Sequence, residues 1–119
     1  TGPLNPIKRF IPSLMLIPAV GSDKVLIYFH GNGEDVNLAS DLLTYLKNSL
    51  IINVLAMEYP GYGIYEGSPN EDTIIEDAEA VYDYLVNKLN IKPKNILLYG
   101  RSMGTGPATY LASQKEVGA

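Results

Sequence analysis

The chain has 119 residues, 13 Asp and Glu against 9 Lys and Arg for a net charge of −4, one His, and neither Cys nor Trp. That length holds one domain with a real core and leaves no room for a second, and 46% hydrophobic against 18% charged residues is the balance of a globular chain. Without Cys, and with His30 as the single imidazole, disulfide frameworks, thiolate zinc sites, cysteine nucleophiles and multi-histidine metal sites are excluded. No metal and no cofactor is therefore expected. The acidic balance lacks the electrostatic footprint of a nucleic-acid binder. Asp23, Lys24 and His30 interrupt the stretch from Ile11 to Phe29, so no transmembrane segment is expected. The opening Thr1-Gly2-Pro3 has no Met and no basic region before an apolar run; Thr1 is read as other than the natural start. The absence of Cys and of a signal peptide leans to a cytoplasmic setting.

In chain order, residues 1–24 form an N-terminal segment in which Leu14 to Ile17 can add an edge strand. Val25 to Phe29 (VLIYF) is a continuous apolar run of β-branched and aromatic residues, the pattern of a strand covered on both faces. From Asp35 to Lys47, Leu38, Ala39, Leu42, Leu43 and Leu46 recur at helical spacing. Asn53 to Tyr59 (NVLAMEY) is a second buried strand. A long helix follows from about Asn70 to Leu89, its apolar face carrying Ile74, Ile75, Ala78, Val81, Tyr82, Leu85 and Leu89. Ser68-Pro69-Asn70-Glu71 offers the cap at its start. The acids Glu71, Asp72, Glu76, Asp77, Glu79 and Asp83 are expected in its first turn or on a solvated outer face. Asn95 to Tyr99 (NILLY) is a third strand, and Gly104 to Gln114 a third helix with Pro107 near its opening turn. Strand and helix alternate through residues 25–112, which predicts an α/β fold: a three-layer sandwich around a mainly parallel sheet with right-handed crossovers. There is no linker or repeat, so residues 1–119 read as one continuous unit.

In such sheets the site lies beyond the carboxyl ends of the strands. There the chain reads His30-Gly31-Asn32-Gly33, Pro60-Gly61-Tyr62-Gly63 and Gly100-Arg101-Ser102-Met103-Gly104. Gly100-x-Ser102-x-Gly104 follows NILLY directly and opens a helix, the strand–turn–helix context of a nucleophile elbow. The flanking glycines let strand and helix approach, the serine is expected in a strained backbone conformation, and the helix N-terminus favours a developing oxyanion. The competing reading is a serine that only caps a helix. A second donor for an oxyanion comes from the loop after an early strand, where His30-Gly31-Asn32-Gly33 stands; the expected donors are the backbone N–H groups of Asn32 and Met103. His30, at a strand end ahead of the serine, fits a loop-stabilising role better than that of a general base. Gly31 and Gly33 shape the same loop, and Gly61, Tyr62 and Gly63 form a turn that can wall a pocket.

With HGN, EYPGYG and YGRSMGTGPA in that order on strand ends, the sequence resembles the α/β-hydrolase superfamily of serine hydrolases. Within it, the chain is most similar to the small eukaryotic group of protein depalmitoylases and relatives known as abhydrolase-domain proteins, over about Val25 to Ala112. The resemblance implies the N-terminal half of a hydrolase core, a Ser102 nucleophile, an oxyanion hole from Asn32 and Met103, and an acyl ester, thioester or amide substrate borne on a small molecule, lipid or protein. Glu58 stands where the family usually has aspartate, and the depalmitoylases' N-terminal cysteine cluster is absent. The family's triad continues with an Asp or Glu and then a His after the serine. After Ser102 this sequence holds one acid, Glu116, and no histidine. The expectation is thus an incomplete hydrolase domain, inactive by itself, which can pair with another copy through an exposed sheet edge. The alternative from another class is a non-catalytic binding or scaffold module on the same fold.

Overall fold

The computed structural model describes residues 11, 13–17, 21–31, 40–59 and 71–119. Four strands form one sheet in the order β1-β3-β2-β4: β1 (Ser13–Leu16), β2 (Val25–Phe29), β3 (Asn53–Met57) and β4 (Ile96–Gly100). β2 is central and parallel to both neighbours, with Phe29 level with Met57 on one side and with Gly100 on the other. β1 runs antiparallel along the far side of β3. All five residues of β2 are buried, as its unbroken apolar run requires.

The helices cover both faces. α1 (Ser40–Leu50) buries Leu43 against Leu26, Tyr28, Ile52, Val54 and Ala56. It runs past the expected end at Lys47 and gives way to Ile51, which turns the chain at φ 54°; its expected start at Asp35 lies outside the described residues. α2 (Glu71–Asn87) and α3 (Thr105–Gln114) lie on the opposite face, where Ile74, Ala78, Val81, Leu85 and Leu111 pack with Val25, Ile27, Phe29, Met57 and Ile96. The proposed cap at Ser68 to Asn70 lies outside the described residues. Asp77, expected on the outer face of α2, is fully buried. The helical period explains it: Asp77 stands three residues after Ile74 and four before Val81, inside the apolar stripe. Pro107 is the third residue of α3, where its missing N–H would have had no helical acceptor.

The outer edge of β4 is joined over part of its length by residues 118 and 119. Gly118 N–H donates to the Ile96 carbonyl at 2.7 Å and Leu98 N–H to the Ala119 carbonyl at 2.8 Å. Tyr82 of α2 secures this segment by donating its hydroxyl to the Glu116 carbonyl at 2.7 Å. Burial, then the Glu116 carboxylate, pushes the phenol above its ordinary 10.0, with Lys115 opposing and Asp83 adding. A group whose pKa is raised on folding loses its stabilising contribution as pH climbs through the folded value. Stability is therefore expected to fall above pH 10.0, and Tyr82→Phe to flatten that fall while costing about 1 kcal/mol at neutral pH; denaturant midpoints across the alkaline range check it.

Candidate functional site

The chain leaves β2 for β3 on one side through α1, then returns across β2 to reach β4 through α2. Helices consequently leave the carboxyl ends of β2 and β4 on opposite faces, and the crevice of an open α/β sheet forms between those two ends. His30 and Gly31 follow β2 there, and Arg101 to Gly104 follow β4.

The turn after β4 is built against β2. Arg101 N–H donates to the Phe29 carbonyl at 3.1 Å, extending the parallel ladder one residue past the strand. Ser102–Gly104 then form a single 3₁₀ turn, closed by Gly104 N–H on the Arg101 carbonyl at 2.9 Å, and α3 begins at Thr105. A Cβ on Gly104 would overlap the Phe29 carbonyl oxygen and come within 2.9 Å of the His30 carbonyl oxygen. One on Gly100 would overlap the Gly104 carbonyl and meet the Ala108 Cβ at 2.9 Å. Both glycines of the Gly100-x-Ser102-x-Gly104 motif are thus required by close approach to backbone. The residue capping α3 is Gly104, with no side-chain cap bond, so Ser102 is not the helix cap. Ser102 opens that 3₁₀ turn. Met103 is half-buried against the α2 side of the core. Beside the turn lies an open recess of about 500 Å³ lined by Leu98, Tyr99, Gly100 and Arg101.

At the end of β2, His30 is fully buried. Its Nε2 lies 2.7 Å from Glu58 Oε1 and its Nδ1 2.9 Å from the Gly31 carbonyl oxygen. The Tyr59 ring lies against the imidazole, centroids 3.9 Å apart and planes 31° to one another, and the Tyr59 hydroxyl donates to the His30 carbonyl at 2.8 Å. Glu58 Oε1 also accepts from Tyr59 N–H at 3.1 Å. Since Phe29 and Met57 are level, the residues one step beyond them, His30 and Glu58, emerge side by side. Glu58 and Tyr59 were read as the end of a strand; β3 stops at Met57, and these two residues hold the site instead. An acid one residue past one strand and the only histidine one residue past its parallel neighbour was the available signal. Of the other expected site residues, Asn32, Gly33, Gly61, Tyr62 and Gly63 lie outside the described residues.

A family model described as the alpha/beta hydrolase fold matches residues 24–117. The chain belongs to the alpha/beta hydrolase family. It is 33% identical over 110 residues to alpha/beta hydrolase domain-containing protein 17C of Xenopus laevis, covering 92% of this chain and 35% of that protein. With the human protein 17B it shares 34% identity, across 79% of this chain and 33% of the relative. The chain therefore spans about a third of the length of the curated relatives it matches. Among solved structures, an alpha-beta hydrolase from Vibrio vulnificus superposes with a TM-score of 0.69 at 28% identity, covering 90% of this chain and 42% of that one. A Coxiella burnetii alpha-beta serine hydrolase homologue, 18% identical with a TM-score of 0.69 over 96% of this chain and 61% of its own, shares the fold. These likenesses match the chain's mixed sheet to the N-terminal portion of the alpha/beta hydrolase core.

Proposed function

We propose that this chain carries the nucleophile of a serine hydrolase that cleaves an acyl ester or thioester. The carrying observation is the turn between β4 and α3: two glycines pressed against backbone hold Ser102 at the crevice where the strand order reverses. In this reading the Ser102 hydroxyl oxygen attacks the acyl carbonyl carbon while its proton passes to a base. The tetrahedral oxyanion accepts from the N–H groups of Met103 and Asn32, the alkoxide or thiolate leaves with the proton, and water then frees the acyl group from Ser102. His30 does not suit the base, being buried on Gly31 and Glu58. The base is assigned to residues outside this sequence, for which relatives about two and a half times as long have room. The acyl group is proposed to be borne on a small molecule, a lipid or a protein.

The test is hydrolysis of p-nitrophenyl acyl esters by the full-length chain. Ser102→Ala is expected to lower kcat/KM by about 10⁴-fold or more with the circular dichroism spectrum unchanged. Undiminished turnover by the folded variant would move the activity elsewhere. A folded, full-length protein without turnover of any acyl ester or thioester would favour the scaffold reading.

A further inference from the structure

Charge divides between the two ends of the sheet. Lys24 stands just before β2, and Val25 is level with Asn53 on one side and Ile96 on the other, so the residues entering β3 and β4 emerge beside it. Lys92 and Lys94 lie in the connection before β4. Helices that join parallel strands run back against them, so their last turns come to the same level. Lys47 is in the last turn of α1, Lys88 follows α2 and Lys115 follows α3. All six described lysines thus stand at the amino ends of the strands. Three acids, Asp23, Asp83 and Glu116, stand with them, whereas Asp41, Glu58, Asp72 and Glu76 lie towards the carboxyl ends. Lys24 pairs with Asp23 at 3.8 Å and Lys115 with Asp83 at 3.7 Å. Lys47, Lys88, Lys92 and Lys94 make no ion pair among the described residues.

The preference of cations for helix C-termini accounts for Lys47, Lys88 and Lys115. It does not account for Lys24, Lys92 and Lys94, which precede strands. The same end exposes large apolar side chains: Leu50 at 53%, Ile51 at 52% and Leu89 at 44%. Leu50-Ile51 and Leu89-Asn90 follow the two helices alike, and the second residue of each pair has a positive φ, 54° and 57°. Asparagine adopts that conformation readily, and a β-branched isoleucine does not. Ile51 is therefore suited neither to its backbone nor to water. Contacts between proteins are anchored by Arg, Tyr and Trp and are depleted in Lys. Lysines interspersed with aliphatic side chains instead match an anionic bilayer, where ammonium groups meet phosphates while their stems and neighbours enter the apolar boundary; Tyr84, exposed in the last turn of α2, suits the headgroup level. We propose that the face at the amino ends of the strands docks on an anionic phospholipid surface. Its lysines lie against lipid phosphates, and Leu50, Ile51 and Leu89 enter between the headgroups. The crevice at the other end of the sheet then faces away from that surface. This proposal does not rest on the hydrolase reading.

Co-sedimentation of the full-length chain with vesicles tests it, using phosphatidylcholine alone and phosphatidylcholine with phosphatidylserine at about 2:1. Binding is expected to the mixed vesicles only, and to be lost in about 1 M salt, where charges are screened within about 3 Å. Each lysine at such a surface contributes about fivefold to partitioning. Lys47→Gln, Lys88→Gln, Lys92→Gln and Lys94→Gln combined are therefore expected to weaken binding by about 10²-fold or more, with the circular dichroism spectrum unchanged. Ile51→Asn separates docking from folding. It is expected to bind the mixed vesicles about fivefold less tightly yet to unfold at no lower denaturant concentration, because asparagine fits the backbone there. The proposal is overturned if the folded four-lysine variant partitions like wild type, or if wild type binds both kinds of vesicle equally. Binding to soluble polyglutamate but to neither vesicle, removed by the four substitutions, also overturns it and gives the face to an acidic protein.

Discussion

Gly104→Ala is expected to lower the unfolding free energy by about 3 kcal/mol. The added carbon overlaps the Phe29 carbonyl oxygen and sits 2.9 Å from that of His30. Both are backbone atoms of the central strand's end, so neither can swing aside as a flexible side chain would. Relief requires the turn after β4 to lift away from β2. That motion strains the Arg101 N–H bond to Phe29, at 3.1 Å, and carries Ser102 with it. Chemical denaturation of the two proteins measures the loss. A midpoint equal to wild type would mean that the strand end and turn do not pack as described. Gly106→Ala is the matched control: nothing lies within 4 Å of a Cβ there, and the helical position favours alanine by about 1 kcal/mol.

Glu58→Ala is expected to cost about 3–5 kcal/mol, the range found when one member of a buried ion pair is removed. The Glu58 side chain is 5% exposed and that of His30 0%, so water does not replace the missing carboxylate. The His30 ring and the Tyr59 N–H both lose their partner. A variant within about 1 kcal/mol of wild type would show that the pair contributes no more than an exposed ion pair.

How much of this was legible varies with the kind of residue. β2 coincides with its apolar run residue for residue and β4 is displaced by one, because unbroken β-branched and aromatic runs have few other places to go in a small α/β domain. The alternation of strands and helices fixed the layers and the parallel core; the antiparallel sense of β1 was not readable, since four residues carry no direction. Asp77 was misplaced because its charge was weighed above its helical phase. The glycines of the turn were legible as a motif, whereas their reason, backbone contact with Phe29 and His30, depends on strand order and so on residues some 70 positions apart. Glu58 was visible as a departure from a family pattern, and its bond to His30 follows only from the register of β2 and β3.

The central claim is that the turn between β4 and α3 presents Ser102 as a nucleophile. Treating the full-length chain with a fluorophosphonate probe and mapping the adduct by tandem mass spectrometry tests it most directly. Attack by the Ser102 oxygen on phosphorus expels fluoride and leaves a phosphonylated serine, so the account predicts one adduct, on Ser102, absent from Ser102→Ala. A folded full-length protein that takes no label, or that is labelled at another residue, would contradict it.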